Sequence, residues 1–380
     1  MDWAIIFGNY INAYSIITSL HAIGWKGKII TISEKGTPFV LTNLIKQGGE
    51  SLELNLSEPD DIIGCLNQYI QQADQKYIFF TDERFHETFT KVFDKDLLQK
   101  TKFFVGSNKF LHTILDRYKF YEFIKQNDIA PVPKTITGDL NPWDHFPEEF
   151  FIRIRRSWHG LHRIPGVKLI KNKSGFLDAH QEYSQLGVTT SDLCYQEVLS
   201  CDPVDNISVC GWHEQGFNHY YTTRKIIMHP PQTGNGIVVE LIDPPSLLLN
   251  YTSELLEKLC YAGPFELEFV IDNRTNEYKI IELNPRFWMQ HGLIERITGN
   301  EIVRCYLGGD WINTEKIENP KHRYWVNSIR AIWCLLAFNN WIFLHYVRNP
   351  TTVVAPSWLL AVKWNTRKVA LLARKRILNY

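Results

Sequence analysis

The chain carries no net charge, pairs no cysteines at metal or redox spacing, and has no glycine fingerprint for a dinucleotide. Its 41 basic and 41 acidic residues cancel, so bulk charge points to neither a nucleic-acid nor a polyacid partner. The seven cysteines (Cys65, Cys194, Cys201, Cys210, Cys260, Cys305, Cys334) form no CxxC and no zinc spacing, which suits reduced thiols in a cytoplasmic compartment. Gly8 is followed next by Gly24, so the glycine-rich turn of a Rossmann dinucleotide site is missing. An HExxH helix, a Ser-His-Asp set and a nucleophilic cysteine setting are missing too. One uncharged run, Ala331 to Val347, is seventeen residues long and broken by Asn339 and Asn340; crossing a bilayer takes about twenty apolar residues. The opening "MDWAIIFGNY" has an acid at position 2 and only a short apolar run, which reads as a first β-strand and not as a secretory leader.

What is present reads as a folded, multidomain α/β protein. A 44% hydrophobic, 22% charged chain of 380 residues without low-complexity tracts is too long for one compact core. "WAIIFGNYINAYSIITSLHAIGWKGKIITIS" reads as strand, turn, helix, strand, a βαβ unit whose first strand is apolar on both faces. "KYIFFTDE" and "KFFVGS" add strands to about residue 107. "LHTILDRYKFYEFIKQNDIAPVPKTI" reads as one helix stopped by Pro131 and Pro133. "EFFIRIRRSWHGLHRIPGVKLIKN" is a strand, a basic loop and a strand; further strands follow in "CYQEVLS", "NISVCGW" and "HYYTTRKII", then a helix in "SELLEKLCYAG".

The chemistry concentrates in "FELEFVIDNRTNEYKIIELNPRFW". The polar turn "NRTNE" makes this an antiparallel hairpin, and a turn centred near Thr275 sets Glu268 opposite Glu282. Residues two apart share a strand face, so Asn284 lies beside Glu282. Opposed like charges destabilise a sheet unless one is protonated or a cation sits between them. An all-oxygen set suits Mg²⁺ bound together with substrate phosphates. A solvated hairpin face with ordinary surface acids explains the same residues equally well on local grounds.

The spacing "E", fourteen positions, "E-x-N-P-R", here Glu268, Glu282, Asn284, Pro285 and Arg286, resembles the ATP-grasp superfamily, in its carbamoyl-phosphate-synthetase-like branch, over roughly residues 1–310. The resemblance implies an ATP-grasp fold with an N-terminal Rossmann-like domain (1–107), an ATP-grasp domain (108–310, with a lid at about 134–198) and a basic, aromatic-rich helical tail (311–380). It implies that Glu282 bridges two Mg²⁺ ions, with Glu268 and Asn284 each completing one site; Mn²⁺ is compatible with the same oxygens. Arg286 would stabilise the phosphoryl group in transfer, and Lys225, in "TTRKIIMHPPQTGNG", would contact the γ-phosphate or the acceptor. Arg117 in "LDRYKF" and Arg153 in "FFIRI" would hold ATP phosphates with the bidentate fork that distinguishes arginine from lysine. In "YQEVLSCDPVDNISV", Gln196 and Glu197, with the backbone through Val198 and Leu199, would read adenine, and Asp205 would reach the ribose. The chain departs from the family in its lid loop, "RRSWHGLHRIPGV", where side-chain cations (Arg155, Arg156, His159, His162, Arg163) stand in place of a glycine-rich backbone.

The function so implied is an ATP-dependent ligase that activates a carboxylate as an acyl phosphate and joins it to an amine. Its partners would be a small-molecule carboxylate and amine, with a homodimer compatible. The alternative is a non-catalytic, ATP-binding docking module. Asp and Glu are absent after Glu318, and ten Lys and Arg follow it, with five of the twelve tryptophans. A basic Trp- and Leu-bearing tail over 321–380 fits peripheral membrane contact, and it fits equally a segment packed on the acidic body of a cytoplasmic protein.

Overall fold

A computed structural model describes residues 1–8, 10–34, 49–54, 75–83, 85, 101–102, 109–156, 158–159, 162–163, 166–229, 234–308, 321–331, 334 and 343–355. The first sheet is parallel throughout. It contains β1 (Trp3–Phe7), then, after helix α1 (Ile11–Ala22), β2 (Lys28–Glu34), β3 (Gly49–Leu54), β4 (Lys76–Phe80) and β5 (Thr101–Lys102), in the order β3-β2-β1-β4-β5. All five residues of β1 are buried, as its unbroken apolar run requires. Gly8 turns the chain at φ +125°, and a Cβ there would lie 1.9 Å from Thr81 Oγ1. Only glycine fits both the backbone and the space.

The single helix expected from Leu111 up to Pro131 is two helices, α2 (Leu111–Ile114) and α3 (Arg117–Gln126). Asp116 breaks them: its extended backbone and its carboxylate, which accepts from the Lys119 N–H, make it an N-cap instead of an interior residue.

A second, four-stranded sheet has the order β10-β7-β11-β6, from β6 (Thr135–Thr137), β7 (Phe150–Ile154), β10 (Val167–Ile170) and β11 (Leu193–Glu197). Between β7 and β10 the loop folds into a two-stranded ribbon, β8 (Trp158–His159) against β9 (His162–Arg163). Helix α4 (Lys173–Gln185) covers one face, where Phe150, Ile152, Ile154, Tyr183, Leu193 and Tyr195 share a core. Strand alternation turns Arg153, Cys194 and Gln196 to the other face.

The third sheet is the largest. Its order is β16-β15-β12-β13-β14-β17-β18, with β12 (Asn206–Glu214), β13 (Phe217–His229), β14 (Asn235–Ile242), β15 (Gly263–Asp272) and β16 (Glu277–Asn284) all antiparallel. One face packs on α3 and on α5 (Ser246–Lys258) through Ile207, Val209, Leu267, Phe269, Ile280 and Leu283. Helices α6 (His291–Thr298) and α7 (Glu301–Leu307) join α1 and Phe79 of the first sheet in a common core with Trp212, Phe287 and Trp288. The parallel sheet is thereby seated directly against the segment that follows Asn284.

The expectation of a helical tail is corrected where the chain is described. Phe343–Val347 is helical (α8), but β17 (Tyr324–Asn327) and β18 (Thr352–Ala355) are strands that extend the large sheet beyond β14. Both are short aromatic or β-branched runs, suited to a pleated surface. The buried Glu240 carboxylate accepts from Arg224 at 2.5 Å and from Arg323 at 2.8 Å, so one basic residue of this segment pairs with the acidic body. Residues 356–380, with the remaining basic cluster, lie outside the described residues. Among the described residues no helix is long and apolar enough to cross a membrane.

Candidate active site

The β15–β16 hairpin has the register expected from its turn. Glu268 lies opposite Glu282, and Glu266 lies opposite Asn284. All four point away from the α3–α5 face, because Leu267, Phe269 and Leu283 occupy it. On the same sheet Ser208 pairs with both Glu268 and Thr223, which places Lys225, two residues beyond Thr223, on the same side.

Glu282, Glu268 and Arg286 have each found an opposite charge. Arg117, the first residue of α3, donates to Glu282 Oε2 at 2.8 Å and to the Ile154 carbonyl at 2.9 Å. Lys225 Nζ donates to Glu268 Oε2 at 2.6 Å. Arg286 donates to Asn284 Oδ1 at 3.0 Å and pairs with Glu83 Oε1 at 3.3 Å. Asn284 Nδ2 donates to Glu266 at 3.2 Å and to Glu268 at 3.3 Å. Arg153 completes the group from the second sheet, donating to Gln196 Oε1 at 2.7 Å.

The electrostatics follow from this crowding. Burial works to raise the Glu282 carboxyl, but Arg117 and then Arg153 hold it down at about 2. Burial, and next the adjacent Glu268 carboxylate, push Glu266 up to about 7, although Gln290 donates to it at 2.5 Å. Burial and then the like charge of Arg117 lower the pKa of Arg153. The Nε atoms of Arg117 and Arg153 are buried without a hydrogen-bond partner among the described residues, so these guanidiniums retain donors that none of those residues satisfies.

The residues fit a magnesium–nucleotide group by two observations. Glu268, Glu282 and Asn284 are hard oxygen donors on adjoining strands, with the Glu266 carboxyl crowded beside them across the Asn284 amide. The unpartnered arginine Nε atoms suit phosphate oxygens. Among the described residues no three His, Cys, Asp or Glu side chains form a ready metal cluster; the set is two carboxylates and an amide, already paired with protein cations. Asn284 turns its NH₂ to the carboxylates, so its oxygen reaches their side only if the amide rotates.

The residues expected to read adenine and ribose behave differently. Gln196 is 3% exposed, and its amide is taken up by Arg153, Tyr121 and Thr135; its side chain is a support for Arg153. Glu197 accepts from the Lys134 N–H and Lys279 at 2.8 Å and from Arg274 at 3.4 Å. Val198 and Leu199 form an irregular, half-buried segment directly after β11. Asp205 accepts from the Asp202 N–H at 2.6 Å and from Asn273 at 3.1 Å, contacts that tie its turn to the hairpin end. Of the lid cations, Arg155 forms a fork on Asp116 (2.8 and 3.1 Å) and Arg156 lies 4.0 Å from it, so both brace the start of α3.

Three members of the site were not foreseen. Glu266 had a local signal, since it stands two residues before Glu268 on the same strand face. Glu83 arrives from the end of β4, 203 positions before the Arg286 it contacts, and no short-range pattern marks it. Tyr121 reads as a core aromatic of α3 and is 0% exposed, yet its hydroxyl reaches the hairpin at the Ile281 carbonyl (2.6 Å).

Residues 243–307 match the carbamoyl-phosphate synthase L chain, ATP binding domain. No curated protein matches the chain in sequence. Among solved structures, Rhizobium etli pyruvate carboxylase is similar at TM-score 0.61 and 14% identity, over 83% of this chain and 29% of that one; the chain thus spans under a third of that enzyme. The biotin carboxylase domain of Hydrogenobacter thermophilus 2-oxoglutarate carboxylase, solved as a dimer with MgADP, ADP and bicarbonate, is similar at TM-score 0.60 and 13% identity, over 85% and 73%. Bacillus licheniformis L-amino acid ligase is similar at TM-score 0.56 and 12% identity, over 81% and 73%. The chain therefore has the ATP-grasp fold, and within it residues 243–307 are similar to the ATP binding domain of the carbamoyl-phosphate synthase L chain.

Proposed function

We propose that this chain is an ATP-dependent ligase that phosphorylates a carboxylate and joins the resulting acyl phosphate to an amine, such as an amino acid. One observation carries the reading: the cations suited to phosphate and the oxygens suited to magnesium are interleaved in pairs, Arg117 with Glu282 and Lys225 with Glu268. A nucleotide whose phosphates take the cations frees the carboxylates for a divalent ion, so each exchange compensates the other. Arg117 and Arg153 hold the phosphates, Lys225 and Arg286 face the group in transfer, and Glu268, Glu282 and Asn284 hold Mg²⁺. The ion supplies charge neutralisation at the terminal phosphate. Glu197, the backbone of Val198 and Leu199, and Asp205 take the base and ribose, with Gln196 acting through Arg153.

In the first step a carboxylate oxygen attacks the γ-phosphorus and ADP departs; in the second the neutral amine nitrogen attacks the acyl carbon, the C–O bond breaks, and the departing phosphate takes the proton that nitrogen loses. The positioned cations neutralise charge in both.

The test is ADP and phosphate release, with Mg²⁺, across a panel of carboxylates paired with amino acids. Release that requires both substrates supports the ligase. Magnesium-dependent nucleotide binding without turnover over a broad panel supports the docking module, and absence of nucleotide binding removes both.

A further inference from the structure

We propose that Tyr121 and Gln196 are positioning residues that set Arg153 and Glu282 relative to one another, a role resting on the nucleotide reading above. The observation that carries it is a bulge. Glu268 pairs with Glu282, but Phe269 pairs with Ile280, so Ile281 is an extra residue on β16. A bulge disrupts the ladder and re-aims the side chains beside it, and here the neighbour is Glu282. The Ile281 carbonyl accepts from the Tyr121 hydroxyl at 2.6 Å.

The same hydroxyl accepts from Gln196 Nε2 at 3.1 Å, and the amide's other contact is Thr135 Oγ1 at 3.3 Å. Gln196 Oε1 then takes Arg153 Nη1 at 2.7 Å. A continuous path runs from the arginine on β7, through β11 and α3, to the bulge that aims a carboxylate on β16. It joins two sheets that share no strand. Tyr121 and Gln196 are both buried, so no water competes for these bonds, and removing one partner leaves the other unsatisfied.

An ordinary buried polar network would affect stability alone. The positioning role predicts a split between metal and nucleotide. In the full chain, ADP binding is measured by calorimetry in EDTA and then against increasing Mg²⁺, alongside thermal midpoints. Tyr121→Phe keeps the ring but frees the bulge. It raises the half-saturating Mg²⁺ about tenfold, the low end for a lost outer-shell partner, while ADP affinity in EDTA stays within about threefold. Gln196→Leu weakens ADP about tenfold in EDTA, because Arg153 loses its anchor. Half-saturating Mg²⁺ within about twofold of the unaltered chain in Tyr121→Phe overturns the proposal, as does a Gln196→Leu variant that loses only thermal stability. If the unaltered chain binds ADP and the variants match it, only this proposal fails; if it binds no ADP in either condition, the nucleotide reading fails and this falls with it.

Discussion

Replacing Glu282 with glutamine tests the interleaved pairing, because it predicts opposite effects on nucleotide with and without metal. Glu282 occupies Arg117 now, at 2.8 Å, and thus competes with any phosphate for that guanidinium. Holding a carboxyl at about 2 against an ordinary 4.5 corresponds to about 3 kcal/mol of favourable interaction at neutral pH. The side chain is 34% exposed, and solvent screening reduces this to about 1–2 kcal/mol. Glu282→Gln removes the competitor, so in EDTA the variant binds ADP about 5- to 30-fold more tightly than the unaltered chain. With Mg²⁺ present the order reverses, since one of the carboxylates that would hold the ion is gone and added metal gives the variant little gain. Calorimetry under the two conditions reads both quantities. Equal weakening in EDTA and in Mg²⁺ would refute the reasoning, because Glu282 would then be helping the phosphates directly instead of competing for their cations. The same depressed carboxyl makes the stability it contributes present above pH about 4.5 and lost as pH falls through about 2. Acid titration of the thermal midpoint should therefore show a loss in the unaltered chain that is absent from Glu282→Gln.

Lys225→Met leaves the Glu268 carboxylate without its ammonium partner; turnover should fall at least about 100-fold while MgADP affinity changes less than about tenfold, as judged by phosphate release and calorimetry. Glu295 is buried, and burial raises its carboxyl to about 8, while one oxygen accepts from the Val303 N–H at 2.9 Å and the other has no partner. Folding therefore loses stability as pH rises from about 4.5 to about 8, and Glu295→Gln should unfold at a higher temperature than the unaltered chain at pH 8 but not at pH 5. A scanning-calorimetry series that shows the same difference at both pH values would exclude this account. Gly8→Ala should lower the thermal midpoint by several degrees through its clash with Thr81 Oγ1 and its positive φ, and Gly24→Ala, which meets nothing within 4 Å but shares a positive φ, should cost less.

The hairpin register was legible because it is local. Strand alternation and a short polar turn place Glu268 opposite Glu282 whatever surrounds them, and the apolar run of β1 specifies a strand buried on both faces for the same reason. A helix was read across Asp116 because its apolar spacing continues on both sides, whereas the local bond from Lys119 decides the break. Aromatic and basic composition suggested a helical tail, and pairing made strands of Tyr324–Asn327, against β14, and of Thr352–Ala355, against Tyr324–Asn327.

By itself the sequence determined which oxygens share one strand face, and which arginines and lysine occur at intervals that bring them near. Only the tertiary structure decided which cation meets which carboxylate: Arg117 reaches Glu282 across 165 positions, Glu83 reaches Arg286 between sheets, and Gln196 turns inward to Arg153. Those choices depend on sheet order and on how far each group is taken from water, and both are set by contacts between segments that no local pattern encodes.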